Sequence, residues 1–174
     1  EFKELAQHEK GFAKFALKGN VLKGLNFGNL DFNSMKLNEF DFSSATFGQS
    51  MKEDFSMQNS VITNSDFSGT KFKAKSIDLS GVKIDLNSAE SLFPALNKAM
   101  AKGSTVKAEN LILKMPREYD QKAIDSKLQE LKTNNPKLTE LLEKMQIEPA
   151  KKNFVEATKT AENGIATPTN SIAR

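Results

Sequence analysis

The chain has 174 residues, enough for one ordinary domain with a buried core and too few to require two. It contains no cysteine, which rules out disulfides, thiolate metal sites and a cysteine nucleophile. The formal charge of +3 rests almost wholly on lysine, with one tyrosine, no tryptophan and only Arg117 and Arg174 as arginines; this argues against nucleic-acid binding. No run of about eighteen apolar residues is present, so no membrane span is expected, and no signal-peptide core is visible. Because the chain begins with Glu1 rather than Met, it is expected to be a piece of something longer. The single histidine, His8, lies in a polar terminal segment and reads as solvated rather than catalytic.

In chain order, residues 1–10 form a short predicted helix with Phe2, Leu5 and Ala6 on one side and Gly11 as its stop, within a capping segment over residues 1–16. A period of five then begins. Leu17, Leu22, Phe27, Phe32, Leu37, Phe42 and Phe47 are evenly spaced; Lys52 breaks the series, and Met57, Ile62, Phe67 and Phe72 resume it. At 38% apolar content, seven consecutive hits in fixed phase arise by chance about once in a thousand tries. A straight helix smears such a series around its cylinder, and a straight strand sends alternate members to opposite faces.

The chain must therefore turn within each unit. Two residues before each member runs a second apolar or small series: Leu25, Leu30, Met35, Phe40, Ala45, Ser50, Phe55, Ser60, Ser65 and Thr70. Asn26, Asp31, Asp41 or Asp66 sits between the two, and the pairs Gly28–Asn29, Asn33–Ser34, Ser43–Ser44 and Ser68–Gly69 follow. These residue types bond to nearby backbone and accept tight turns, so each unit is an inward bridge followed by a corner. Stacked in a right-handed solenoid, such units bond their neighbours at about 4.8 Å.

The units LDFNS, FDFSS, SDFSG and IDLSG resemble the pentapeptide repeat over residues 17–86. That resemblance implies a mainly β fold, a right-handed quadrilateral β-helix of four units per coil and about three and a half coils, here with an N-terminal helical cap and a C-terminal α-helical segment. Units one coil apart should then stack as four ladders: Phe27, Phe47, Phe67; Leu22, Phe42, Ile62; Leu17, Leu37, Met57; and Phe32, Lys52, Phe72. A lysine between two phenyl rings would not stay inside unpaired. A bulge over residues 50–54 with Lys52 outside is expected, and a binding notch there is the functional alternative. At residues 73–76 a two-residue slip restores a unit as Ile77, Asp78, Leu79, Ser80, Gly81, and leaves Lys71, Lys73 and Lys75 as an exposed basic cluster, the one candidate binding site.

Residues 87–161 read as a helical segment that covers the open end of the solenoid. Asn87 or Ser88 is the expected cap of a helix carrying Leu92, Phe93, Leu96, Ala99 and Met100, closed by Gly103, with Pro94 in its first turns. A brief strand follows at residues 111–113. Helices over residues 120–133 and 136–145, separated by Asn134 and Asn135, form a predicted antiparallel hairpin in which Ile124, Leu128 and Leu131 meet Leu138, Leu141, Leu142 and Met145. Residues 151–161 form one more predicted helix, and residues 162–174 have the composition of a linker or disordered tail.

No metal-ligand constellation, phosphate loop or nucleophile motif is present, and Glu53 with Asp54 reads as a solvated turn. No catalytic residue, cofactor or metal is assigned, and the chain is expected not to be an enzyme. Some pentapeptide-repeat proteins mimic duplex DNA, but residues 24–86 carry eight acids and six lysines, a poor counterfeit of one charge per about 1.7 Å. A short, Phe-rich solenoid followed by helices and the stretch ENLILKMP is similar instead to the N-terminal β-helix region of the SopA/NleL class of bacterial effectors, HECT-like ubiquitin ligases. That resemblance implies a protein-interaction module that selects a host protein and is secreted into the host cell; its catalytic cysteine has no counterpart here, so the module is expected to be noncatalytic, and the helices predicted over the open end argue for a monomer. The alternative is a stand-alone pentapeptide-repeat protein of the bacterial cytoplasm that modulates a DNA topoisomerase.

Overall fold

The computed structural model describes residues 22–148. The expected helices at residues 1–10 and 151–161, the tail at residues 162–174, His8 and Leu17 lie outside the described residues.

Each corner is made by the residue types the repeat supplies. The carboxylate or amide oxygen of Asn26, Asp31, Asp41, Asp66 and Asp78 accepts a hydrogen bond from the backbone N–H two residues on, at 2.8–2.9 Å. This closes a turn without help from the rest of the molecule. The second turn residue takes positive φ at Gly24, Ser34, Ser44, Asn59, Gly69 and Gly81. Asn64 and Glu39 take it at the same place in their units, so this left-handed conformation is free for glycine and is also adopted by serine, asparagine and one glutamate.

Between corners run strands, which from β1 (Asn26–Gly28) to β8 (Ile112–Lys114) alternate between two parallel sheets. One sheet has the order β1, β3 (Thr46–Ser56), β5 (Lys71–Asp78), β7 (Thr105–Lys107). The other has β2 (Lys36–Asn38), β4 (Val61–Thr63), β6 (Lys83–Asp85), β8, β9 (Gln146–Glu148). The chain is thus rich in parallel strands, and its core lies between them. Phe27, Phe32, Phe42, Phe47, Phe67, Leu37, Met57 and Ile62 are fully buried, with Leu22 and Phe72 nearly so. Burying a side chain of this size contributes about 1.5–3 kcal/mol, and paired rings add about 0.5–1.5 kcal/mol.

The rows of stacked side chains differ from the expected ladders. Phe47 stacks on Phe27 at 5.1 Å and on Phe72, not Phe67, at 5.3 Å. Phe67 stacks on Phe42 at 5.2 Å. Leu37 pairs with Ile62, and Ile62 with Ile84. The N–H of Phe32 bonds the carbonyl of Ser56 and the N–H of Met57 that of Asp78, which places Phe32, Met57 and Leu79 in one row. The cause is the irregularity at Lys52. Phe27 and Phe32 are five positions apart, Phe47 and Met57 ten, and Phe72 and Leu79 seven. A whole extra unit sits in β3 and a two-residue remnant in β5, so every later row shifts by one unit. Lys52 is exposed as expected, and the register of β3 against β5 breaks between Phe47 and Ser50 and again between Ser50 and Asp54.

The second inward series holds its hydroxyls by bonding backbone carbonyls inside the core: Ser60 to Phe32 at 3.0 Å, Ser65 to Leu37 at 3.3 Å, and Thr70 to Phe67 at 2.9 Å. A buried hydroxyl so paired costs little; those of Ser60 and Ser65 tie one row to the next, and that of Thr70 closes its own turn.

Strand pairing continues past the repeats. β7 pairs with β5, β8 with β6, and β9 with β8, so the segment expected to be helical apart from one strand contains three. Helices take up the chain between them. α1 (Leu86–Ala101) is capped by Asp85, whose carboxylate accepts from the Ser88 N–H, rather than by Asn87 or Ser88. The earlier start leaves Pro94 in mid-helix, where it costs the bond to the Glu90 carbonyl. α2 (Gln121–Asn134), capped by Asp120, and α3 (Thr139–Lys144) flank a 3₁₀ turn at Pro136–Leu138. Ile124, Leu131, Leu138, Leu142 and Met145 are buried, with Leu128 and Leu141 packed against them.

Candidate functional site

The two breaks in the five-residue period lie side by side. Gly48, at φ +93°, lets β3 leave its regular path directly over β5: a Cβ at that position would stand 2.2 Å from the Lys73 carbonyl oxygen. Beyond it the strand bows outward and carries Met51, 43% exposed, away from the core. Met51 is caught at the far end of α1, where its sulfur lies 3.8 Å from the Ser104 hydroxyl. That hydroxyl donates to the Ala74 carbonyl at 2.6 Å, which joins the turn after α1 to the slipped residues of β5.

Between the bowed strand, β5 and α1 lies a groove of about 420 Å³. Its apolar surface comes from Met51, Phe72, Ala95 and Ala99, and its rim from Lys71, Lys73, Lys98 and Lys102. Ala95 and Ala99 are four apart on one face of α1, and their small side chains leave the space open. No acidic side chain lines the groove, and none of the four lysines has an ion pair among the described residues. Lys98 and Lys102 sit at the C-terminal end of α1, where the helix dipole favours cations. That partial charge steadies the ammonium groups without cancelling four full positive charges. A neighbouring hollow of about 240 Å³ shares Gly69, Thr70, Ala95 and Lys98, and reaches Glu90, which is held by Lys127 at 3.0 Å.

One edge of the groove is a strand edge. Lys71 and Phe72, just before the register break at Lys73, pair with β3 on one side, whereas β7 joins β5 only at Ser76, Ile77 and Asp78. The Lys71 N–H donates toward β3, to the Ala45 carbonyl at 2.9 Å. Alternation along a parallel strand then turns the Phe72 N–H and C=O to the other side, toward α1 and the groove.

Of the predicted basic cluster, Lys71 and Lys73 line this groove and Lys75, though exposed, does not. Of the predicted notch, Ser50 and Met51 line it; Lys52, Glu53 and Asp54 point elsewhere on the surface. Sequence reading missed Lys98, Lys102, Ala95 and Ala99. Their spacing on α1 marks two adjacent stripes, small and basic, but only the packing of α1 against β5 brings them to the strand. Among the described residues no group of three or more acidic or histidine side chains could hold a metal, and no helix is long and apolar enough to cross a membrane. No protein-family model, curated protein or solved structure matches the chain.

Proposed function

We propose that this chain is a noncatalytic protein-interaction module, the substrate-recognition part of a secreted bacterial effector of the ubiquitin-ligase kind, built on a right-handed quadrilateral β-helix of the pentapeptide-repeat type. The observation that carries the interaction reading is the contrast between interior and exterior. The rows of phenyl and aliphatic side chains fill the space between the sheets, and the chemistry-bearing groups stand on the outer surface, where one groove combines apolar floor with unpaired charge. Such a surface selects a partner and positions it.

Support for the β-helix comes from the alternation of strands between two parallel sheets, from the corners that recur at the same place in each pass, and from the rows that stack across them. The effector assignment rests on the similarity of organisation and of the ENLILKMP stretch given above.

The test is affinity capture from host-cell lysate with tagged protein, identification of the retained protein, and confirmation with that protein purified, run beside a gyrase supercoiling assay. A purified host protein that binds directly is the expected result. Inhibition of supercoiling without a host partner would replace this reading with topoisomerase modulation.

A further inference from the structure

We propose that the groove between β5 and α1 binds an extended acidic peptide segment that adds to the free edge of β5 and places one apolar side chain against Met51, Ala95 and Ala99. The proposal deepens the interaction-module reading and rests on it.

Three observations converge on this occupant. Charge comes first: four lysines from two elements, Lys71 and Lys73 on β5 and Lys98 and Lys102 on α1, face one space that no acid lines. Bringing like charges together without counterions is unfavourable, and the apposed carboxylates of a ligand relieve it. Backbone is second. The Phe72 N–H and C=O point into the same space with no strand beyond them, over a length of three residues, about 10 Å. A strand edge of this kind recognises peptide backbone by the same bonds that hold a sheet. The third is the apolar floor. Met51 is one of two large apolar side chains exposed among the described residues, and its flexible thioether adapts to whatever packs on it.

Nucleic acid fits this site less well. Arginine is absent from the lining, and Phe72, 7% exposed, leaves little ring surface for a base to stack on.

The probe is a fluorescein-labelled peptide of glutamates flanking a central leucine, titrated against the full chain by fluorescence polarisation. Three altered probes accompany it: leucine replaced by glycine, the central amide N-methylated, and an oligodeoxythymidine of equal charge. The parent peptide is expected to bind, and to weaken at least about tenfold to the Lys71→Glu/Lys98→Glu variant, whose folding is checked by its melting curve. The glycine and N-methyl peptides each lose about fivefold or more, since one lacks the anchor and the other the strand bond. Equal affinity of the N-methyl peptide, tighter binding of the oligonucleotide, or no loss in the double variant would overturn the proposal. Self-association of the protein that the double variant abolishes would overturn it too, in favour of a second copy as occupant. A host protein captured equally by wild type and double variant would reject the groove and leave the module reading standing.

Discussion

The pass from Phe27 to Phe32 and the pass from Phe47 to Met57 do the same job with five and ten positions of separation. In the first, one corner joins two inward residues and nothing projects. In the second, an extra unit bows outward at Gly48, and Phe55 fills the inner face beside Phe32 and Phe47, at 5.8 and 5.5 Å. The row Leu37, Ile62, Ile84, Leu113, Ile147 runs unbroken through both kinds of pass, although its members are separated by 25, 22, 29 and 34 positions. Parallel pairing asks only that the chain return to the same place. What it does on the way is free, so insertions collect where they leave the stacked rows alone, and there they can make a site.

The largest effect tests the rows themselves. Phe47 is fully buried between the rings of Phe27 and Phe72, so Phe47→Asp forces a carboxylate among phenyl groups and should cost more than about 4 kcal/mol, read as loss of the cooperative unfolding transition in urea. A variant that melts like the parent would mean that the row is not where the core is held.

Next come two glycines, one from each kind of pass. Gly24, at φ +75° in a regular corner, has no atom within 4 Å of the place a Cβ would occupy, and Gly24→Ala should cost about 1 kcal/mol for backbone conformation alone. Gly48→Ala adds a collision with the Lys73 carbonyl to the same kind of strain and should cost about 2–4 kcal/mol. Equal denaturation midpoints for the two variants would deny that β3 crosses tightly over β5.

The corners contribute a smaller, pH-dependent share. The Ser43 hydroxyl and N–H hold the Asp41 carboxyl below the ordinary carboxylate range. At Asp78 burial pushes the other way, but bonds from Ser80 and Gln58 and the nearby Lys107 prevail, and its pKa is also lowered. A carboxylate favoured in the folded state stabilises it fully above its unfolded value, about pH 4, and that stability is lost as pH falls through the lower folded value. Both side chains are largely solvated, so melting temperature should be flat from about pH 5 to 8 and Asp41→Asn should change the fall below about pH 4 by less than about 3 °C.

Much of this was legible in the sequence because its signals are local. A corner needs only an aspartate and a neighbouring N–H, an inward position needs only a bulky side chain, and both repeat every five residues. Lys52 leaving the core was legible on the same ground. The consequence was not: a five-residue insertion keeps the phase of the series, so the sequence looks the same whether Phe47 stacks on Phe67 or on Phe72, and only the partner across the sheet distinguishes them. β7 and β9 escaped notice for a related reason, since three residues such as TVK or QIE carry no period of their own and become strands by pairing with β5 and β8. The groove was half legible. Lys71 and Lys73 alternate on a strand, but Lys98 and Lys102 belong to a helix whose docking position no pattern in the chain records.

The smallest expected effect is the sharpest discriminator. If stacking followed a strict interval of twenty positions, residue 52 would lie between Phe32 and Phe72, and Lys52→Phe would complete a row of rings. Burying a phenyl there would stabilise the fold by about 1.5–3 kcal/mol. With the extra unit bowed outward, residue 52 is exposed and touches none of those rows, so Lys52→Phe should leave stability within about 0.5 kcal/mol of the parent. Urea midpoints of the two proteins distinguish these outcomes directly. A large gain would restore the twenty-residue ladders and remove the bow on which the groove depends.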